Sequence, residues 1–200
     1  DVLSTLPGIT FGAGEGGGGD GDSINLRGFT ASSDITTDGV RDSAQYTRTD
    51  NFNLDSIELI NGANSAMSGA GSVGGNINLV SKTAHAGNNH DFTLGAGTDG
   101  MARLTADSNM ELSDGAALRL NAMVHQNDVP DRDVERYERW GFASSFVMGL
   151  GSDTRFSVNV LHQQDDNIPE YGLPYFASYG GLLPGVDRES YFGYANIDTQ

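Results

Sequence analysis

The sequence predicts a β-rich fold: a small α+β domain over residues 1–84, then over residues 85–200 the first antiparallel strands of a large transmembrane β-barrel. Three observations carry it. The first part is rich in Gly and Asn, and its short mixed-pattern strands end in turn formers. From residue 91 the texture changes to a two-residue alternation, repeated in five consecutive runs and broken in the second by Ser108. The connectors between those runs turn from tight to long and back again, as they do when one end of a barrel faces the periplasm and the other the exterior.

In the first part, strands are expected at 23–27, at 35–37 approaching an Asp38-Gly39 turn, at 56–60 and at 76–80, with short helices at 2–6 and 65–67. Four consecutive glycines within residues 12–22 make that stretch a loop. Four basic against ten acidic side chains leave residues 1–84 acidic.

In the second part, Phe92, Leu94 and Ala96 open the pattern, and Ala102, Leu104, Ala106, Met110 and Leu112 continue it against Arg103, Thr105, Asp107, Asn109 and Glu111. Leu118, Leu120, Ala122 and Val124 form the third run, Trp140, Phe142, Phe146 and Met148 the fourth, and Phe156, Val158 and Val160 the fifth. A large soluble antiparallel sheet would alternate in the same way. Connectors at 99–100, 113–115, 128–138, 151–153 and 165–190 favour the membrane, and so does the polar face. Arg103, Asp107, Glu111, Arg119 and Arg155 would be costly against a dry core unless paired, whereas a wet or filled lumen accepts them.

Composition excludes other classes. With 27 Asp and Glu against 11 Lys and Arg, the net charge of −16 repels phosphate backbones, so no nucleic-acid partner is expected. The absence of cysteine removes disulfides, thiolate metal sites and Cys nucleophiles. No run is apolar enough for a membrane helix, which says nothing against membrane strands. Asp1 opens without Met or a leader pattern and Gln200 sits in a strand-like pattern, so the sequence is expected to be an internal piece of a longer chain.

Read in order, the motifs resemble one family. Asp1-Val2-Leu3-Ser4-Thr5-Leu6-Pro7-Gly8-Ile9 resembles the opening of the plug domain of TonB-dependent outer-membrane receptors, and Asn25-Leu26-Arg27-Gly28-Phe29 resembles its Arg-Gly-Phe strand. Thr37-Asp38-Gly39-Val40-Arg41-Asp42 is similar to its Asp-Gly turn. Ile57 through Gly62 and Gly69, followed by Gly74-Gly75-Asn76-Ile77-Asn78-Leu79-Val80-Ser81-Lys82, resembles its final plug signature. Residues 166–175 are similar to a segment of the siderophore-transporting members, those for catecholate-type ferric siderophores in particular. Asn61-Gly62-Ala63 stands where the family has Lys-Gly-Pro, and Ser68 where it has an aromatic, which loosens one plug turn.

The resemblance implies a 22-stranded barrel enclosing the plug, a monomer in the lipid of a Gram-negative outer membrane. It implies uptake of a ferric siderophore bound by plug and extracellular loops, and its release by plug rearrangement driven through a TonB-ExbB-ExbD complex. Iron would be cargo, no cofactor is called for, and no covalent chemistry is done.

Other motifs fail on context. Gly12-x-Gly14-x-x-Gly17 and Gly69-x-Gly71-x-x-Gly74 spell a dinucleotide fingerprint, but neither sits between a strand and a helix. Gly19-Asp20-Gly21-Asp22 lacks calcium-loop spacing, and His85, His90, His125 and His162 show no zinc pattern. No catalytic grouping appears, so no enzyme is expected.

The candidate ligand contacts are Arg41, Tyr46 and Arg48, with Phe11 and Glu15 in the other large loop and Tyr171 and Tyr175 in an aromatic external loop. A ferric tris-catecholate is an anion bearing aromatic rings, so guanidinium charge and aromatic stacking suit it. The same arginines are equally suited to pairing with Asp42, Asp50 or wall carboxylates. Another cargo, such as cobalamin, haem or a saccharide, stays open, as does a non-transporting surface β protein or adhesin.

Overall fold

The computed structural model describes residues 5–12, 23–31, 34–41, 49–62, 73–168, 172–178 and 180–194, which fall into two compact units, 1–82 and 83–200. The expected helices at 65–67 and, but for Thr5 and Leu6, at 2–6 lie outside the described residues, as does the end at Gln200.

In the first unit β1 (Ile9–Gly12), β2 (Ser23–Leu26) and β3 (Phe29–Thr30) form an antiparallel sheet. A second sheet runs in the order β5 (Val40–Arg41), β4 (Ile35–Thr37), β7 (Gly75–Ser81), β6 (Leu54–Asn61), with β4 and β7 parallel. It also holds a 3-10 turn, Asn51–Asn53, capped by the Asp50 carboxylate, which accepts the Phe52 N–H at 3.0 Å. Ile9, Ile24, Leu26, Ala31, Ile77 and Leu79 make a small buried core, and Leu6, Ile35, Leu54, Ile57 and Leu59 pack against it. β1 and β5 replace expected loop: β1 pairs along its whole length with β2, and β5 pairs with β4.

The second unit is a five-stranded antiparallel meander in the order β12 (Phe156–Ile168), β11 (Arg136–Met148), β10 (Ala116–Asp128), β9 (Ala102–Ser113), β8 (Asn89–Ala96). Its register stacks even residues on one face and odd ones on the other. Leu94, Leu104, Val124 and Trp140 share a row, and so do Arg103, His125, Arg139 and Asp165 on the opposite side. The apolar face is the open one: Leu94 is 80% exposed and Phe92 74%. Asn109, Asn121 and Ser145 of the polar face are buried. A soluble sheet does the reverse.

On β11 the apolar band runs from Trp140 to Met148. Eight steps of ~3.4 Å give about 27 Å along the strand, or roughly 20 Å of depth at a tilt of ~40°, close to the height of a lipid-facing band. Beyond it the outward residues turn polar, at Gln126, Asp128, Arg136, Glu138 and Asp166, while the ladder continues.

This continuation corrects the expected connectors. The 128–138 loop shrinks to residues 129–135 and equals in length the 149–155 turn at the other end, and β12 runs on to Ile168. Loop length therefore discriminates less than the sequence suggested. The connector 129–135 is packed: Arg132 Nε donates to Glu135 Oε1 at 2.7 Å, Arg132 Nη1 donates to the Arg188 carbonyl at 2.9 Å, and Glu135 is fully buried. At 149–155, Ser152 Oγ contacts the Gly149 and Thr154 carbonyl oxygens at 2.9 and 2.7 Å, and a Cβ on Gly149 would collide with the latter.

Candidate functional site

Most of the signature residues build the first unit. Arg27-Gly28 and Asp38-Gly39 each adopt two consecutive positive φ angles, 53° and 85°, then 52° and 80°. Each closes a two-residue hairpin, between Leu26 and Phe29 and between Thr37 and Val40, in the turn geometry that Asp-Gly favours. Asp38 also accepts the Ser81 N–H on Oδ1 at 2.8 Å, tying the turn to the end of β7.

Asn78 is the hub of that turn. Its Oδ1 accepts from Thr36 Oγ1 at 2.9 Å and from the Gly39 N–H at 3.0 Å, and its Nδ2 donates to Glu58 Oε2 at 2.9 Å. Lys82 donates from Nζ to the Phe52 carbonyl at 2.9 Å. Gly62 donates its N–H to Gly74 O at 3.1 Å. A Cβ on Gly74 would meet the Leu26 carbonyl, and one on Gly75 the Ile60 carbonyl, so β2 and β6 approach β7 more closely than a side chain permits. Gly69 lies outside the described residues.

The candidate ligand residues are partly visible. Arg41, on β5, is half exposed, and its Nη2 donates to Asp34 Oδ1 at 3.2 Å. Among the described residues the partner of Arg41 is Asp34, and Asp42 lies outside them. Asp34 is buried, and its carbonyl accepts from Asn76 Nδ2 at 2.9 Å and from the Ile77 N–H at 3.0 Å, so the carboxylate holding Arg41 is itself fixed. Phe11, on β1, is exposed, and so are Tyr175 and Phe176 on β13 (Tyr175–Phe176), which pairs with β14 (Gly181–Leu182). Tyr46, Arg48, Glu15 and Tyr171 lie outside the described residues.

The polar face of the second unit carries paired charge. Arg119 grips Asp107 with two hydrogen bonds, from Nε at 2.9 Å and Nη2 at 2.8 Å. Arg139 pairs with Asp165 directly across β11 and β12. Asp91 stands opposite Asp107 on β8, a like-charge neighbour that the Arg119 pairing offsets. On the apolar face Trp140 and His162 meet with ring centroids 4.9 Å apart, one row inside the polar edge. Sequence reasoning found the two faces but missed the Arg132–Glu135 pair. Nothing in its local pattern marks a buried carboxylate.

Comparison with known proteins agrees with this architecture. Residues 1–76 match the TonB-dependent Receptor Plug Domain. The chain is 38% identical over its full length to the probable TonB-dependent siderophore receptor PiuA of Acinetobacter baumannii, covering 28% of that relative. It is 34% identical over its full length to the catecholate siderophore receptor Fiu of Escherichia coli O6:H1, covering 26% of it. The crystal structure of PiuA from A. baumannii superposes with a TM-score of 0.82 at 40% identity, over 90% of this chain and 26% of that one. The closed form of the ferric-catecholate import receptor Fiu from E. coli K12 gives 0.81 at 35% identity, over 87% of this chain and 25% of that one. The chain thus spans about a quarter of the length of these relatives, which are receptors and not enzymes. With a plug sheet closed by its signature glycines and a wall turned apolar side outward, the chain belongs to the TonB-dependent receptor family, of which it carries the plug domain and the first barrel strands.

Proposed function

We propose that the chain is part of a receptor that carries a ferric siderophore, of catecholate type, across the outer membrane of a Gram-negative bacterium. One observation carries the transport reading: the five-stranded wall keeps ion pairs on its polar face and leaves its apolar face open. That inversion suits a barrel with lipid outside and a hydrated or occupied lumen inside. The cargo assignment is supported by the likeness to PiuA and Fiu. Cargo binds at the plug and extracellular loops, and a TonB-ExbB-ExbD complex drives the rearrangement that releases it.

Arg41 suits the binding role in spite of its partner. A guanidinium has five N–H donors, and the contact to Asp34 engages one nitrogen, leaving half-exposed donors for an anion. Tyr46, Arg48, Phe11, Glu15, Tyr171 and Tyr175 complete the proposed contact set. Replacing Arg41 and Arg48 by Ala in the complete receptor should weaken a ferric tris-catecholate about tenfold or more, as expected when charge-assisted contacts are lost. Equilibrium binding to purified receptor reads this, and unchanged affinity would remove both arginines from the site. The chain is also 31% identical to the vitamin B12 transporter BtuB of Vibrio vulnificus, which keeps cobalamin as the rival cargo.

A further inference from the structure

The chain that leaves the first unit, residues 83–88, lies along the polar face of the wall, and one cross-strand row holds most of it. Asn109 on β9, Arg119 on β10 and Ser145 on β11 are register neighbours. Each reaches main chain of the segment. Arg119 Nη1 donates to the Thr83 carbonyl at 3.2 Å, and Ser145 Oγ accepts the Ala84 N–H at 3.0 Å. Asn109 accepts the His85 N–H on Oδ1 at 3.1 Å, and its Nδ2 donates to the His85 and Gly87 carbonyls at 2.8 and 2.6 Å. Glu111, one row on, accepts the Gly87 N–H and donates its own N–H to Asn88 Oδ1 at 2.9 Å.

Connecting segments are ordinarily solvated and mobile. Here the other residues of the segment are exposed, but Ala84 has no exposed surface and sits with Ala117 and Val147, while Asn109 and Ser145, which hold the segment's main chain, are 1% and 2% exposed. Lifting the segment would strand two buried polar side chains and the main-chain groups they satisfy. Arg119 is held in turn by its two bonds to Asp107.

We propose that residues 83–88 are a fixed anchor of the transport cycle, held on the wall by Asn109, Arg119 and Ser145 as positioning residues while the residues before them rearrange. The inference rests on the transport reading. Force applied from the N-terminal side is then taken up before residue 83, and the strands that follow stay undisturbed.

The test uses the complete receptor in iron-starved cells with Ala84→Cys and Ser145→Cys combined. Uptake of ferric catecholate should be the same with the pair oxidised and reduced; loss on oxidation with recovery on reduction overturns the anchor. A second readout needs no cross-link. Ala84→Cys alone, probed with a membrane-impermeant maleimide, should label equally slowly in energised and uncoupled cells, whereas energy-dependent labelling overturns the proposal. Adding Asn109→Ala should speed that labelling about tenfold in both conditions, because the backbone groups it held lose their partners; an unchanged rate removes Asn109 from the anchor. Absent uptake by the unmodified receptor would count against the transport reading instead, so the two failures are distinct.

Discussion

Gly75 sits at φ 141°, with the Ile60 carbonyl where a Cβ would go and a Leu26 methyl beside it. Gly39 also has a positive φ, 80°, but nothing lies within 4 Å of its added Cβ. The two therefore separate crowding from conformational preference. Gly75→Ala should destabilise the plug by about 3 kcal/mol, since strain and overpacking add, and Gly39→Ala by only about 1 kcal/mol. Calorimetry of the plug transition in the purified complete receptor checks the difference, and equal losses would contradict the packing account. The glycines were legible as motif positions in the sequence, and the structure supplies the reason: backbone of two other strands crosses at Gly74 and Gly75. Asp34 as the partner of Arg41 was not legible, because a contact made by Arg41 in a two-residue strand depends on a pairing that local sequence does not encode.

At the scale of the element, the wall strands were legible because a period of two fixes which face each residue joins once register is set. Their ends were not. Asp128, Arg136 and Glu138 read as loop, yet they are strand residues facing outward above the apolar band, where a ladder needs polar side chains. β1 and β5 escaped because runs this short show no alternation of their own, whereas β2 and β4, hardly longer, were marked by the turn formers beside them. The two faces predict opposite tolerance to charge. Val160→Lys, outward in the middle of the band, should destabilise the barrel by about 2–4 kcal/mol. Gln163→Lys should be tolerated, because Gln163 already donates to Asp165 Oδ2 at 2.7 Å on the polar face, where a lysine finds a counter-ion. Unfolding of the complete receptor in lipid vesicles measures both, and equal cost would contradict the assignment of faces.

For the whole molecule, the five strands leave one side of β8 and one of β12 without a partner among the described residues, and the apolar face without cover. Further strands and a bilayer answer both needs, because barrel closure removes edges and lipid accepts the apolar band. The small core of the plug unit and its dependence on polar bonds through Asn76 and Asn78 suit a domain that must rearrange without unfolding its surroundings. The anchor at 83–88 marks where that rearrangement stops. Transport of a ferric catecholate is the claim on which the account rests, and metal uptake by iron-starved cells with and without the complete gene tests it most directly. Ferric catecholate, ferric hydroxamate and cobalamin, each labelled on its metal, are supplied in parallel. The account predicts that deletion abolishes catecholate-dependent uptake alone; three unchanged fluxes, or loss of cobalamin uptake alone, would contradict it.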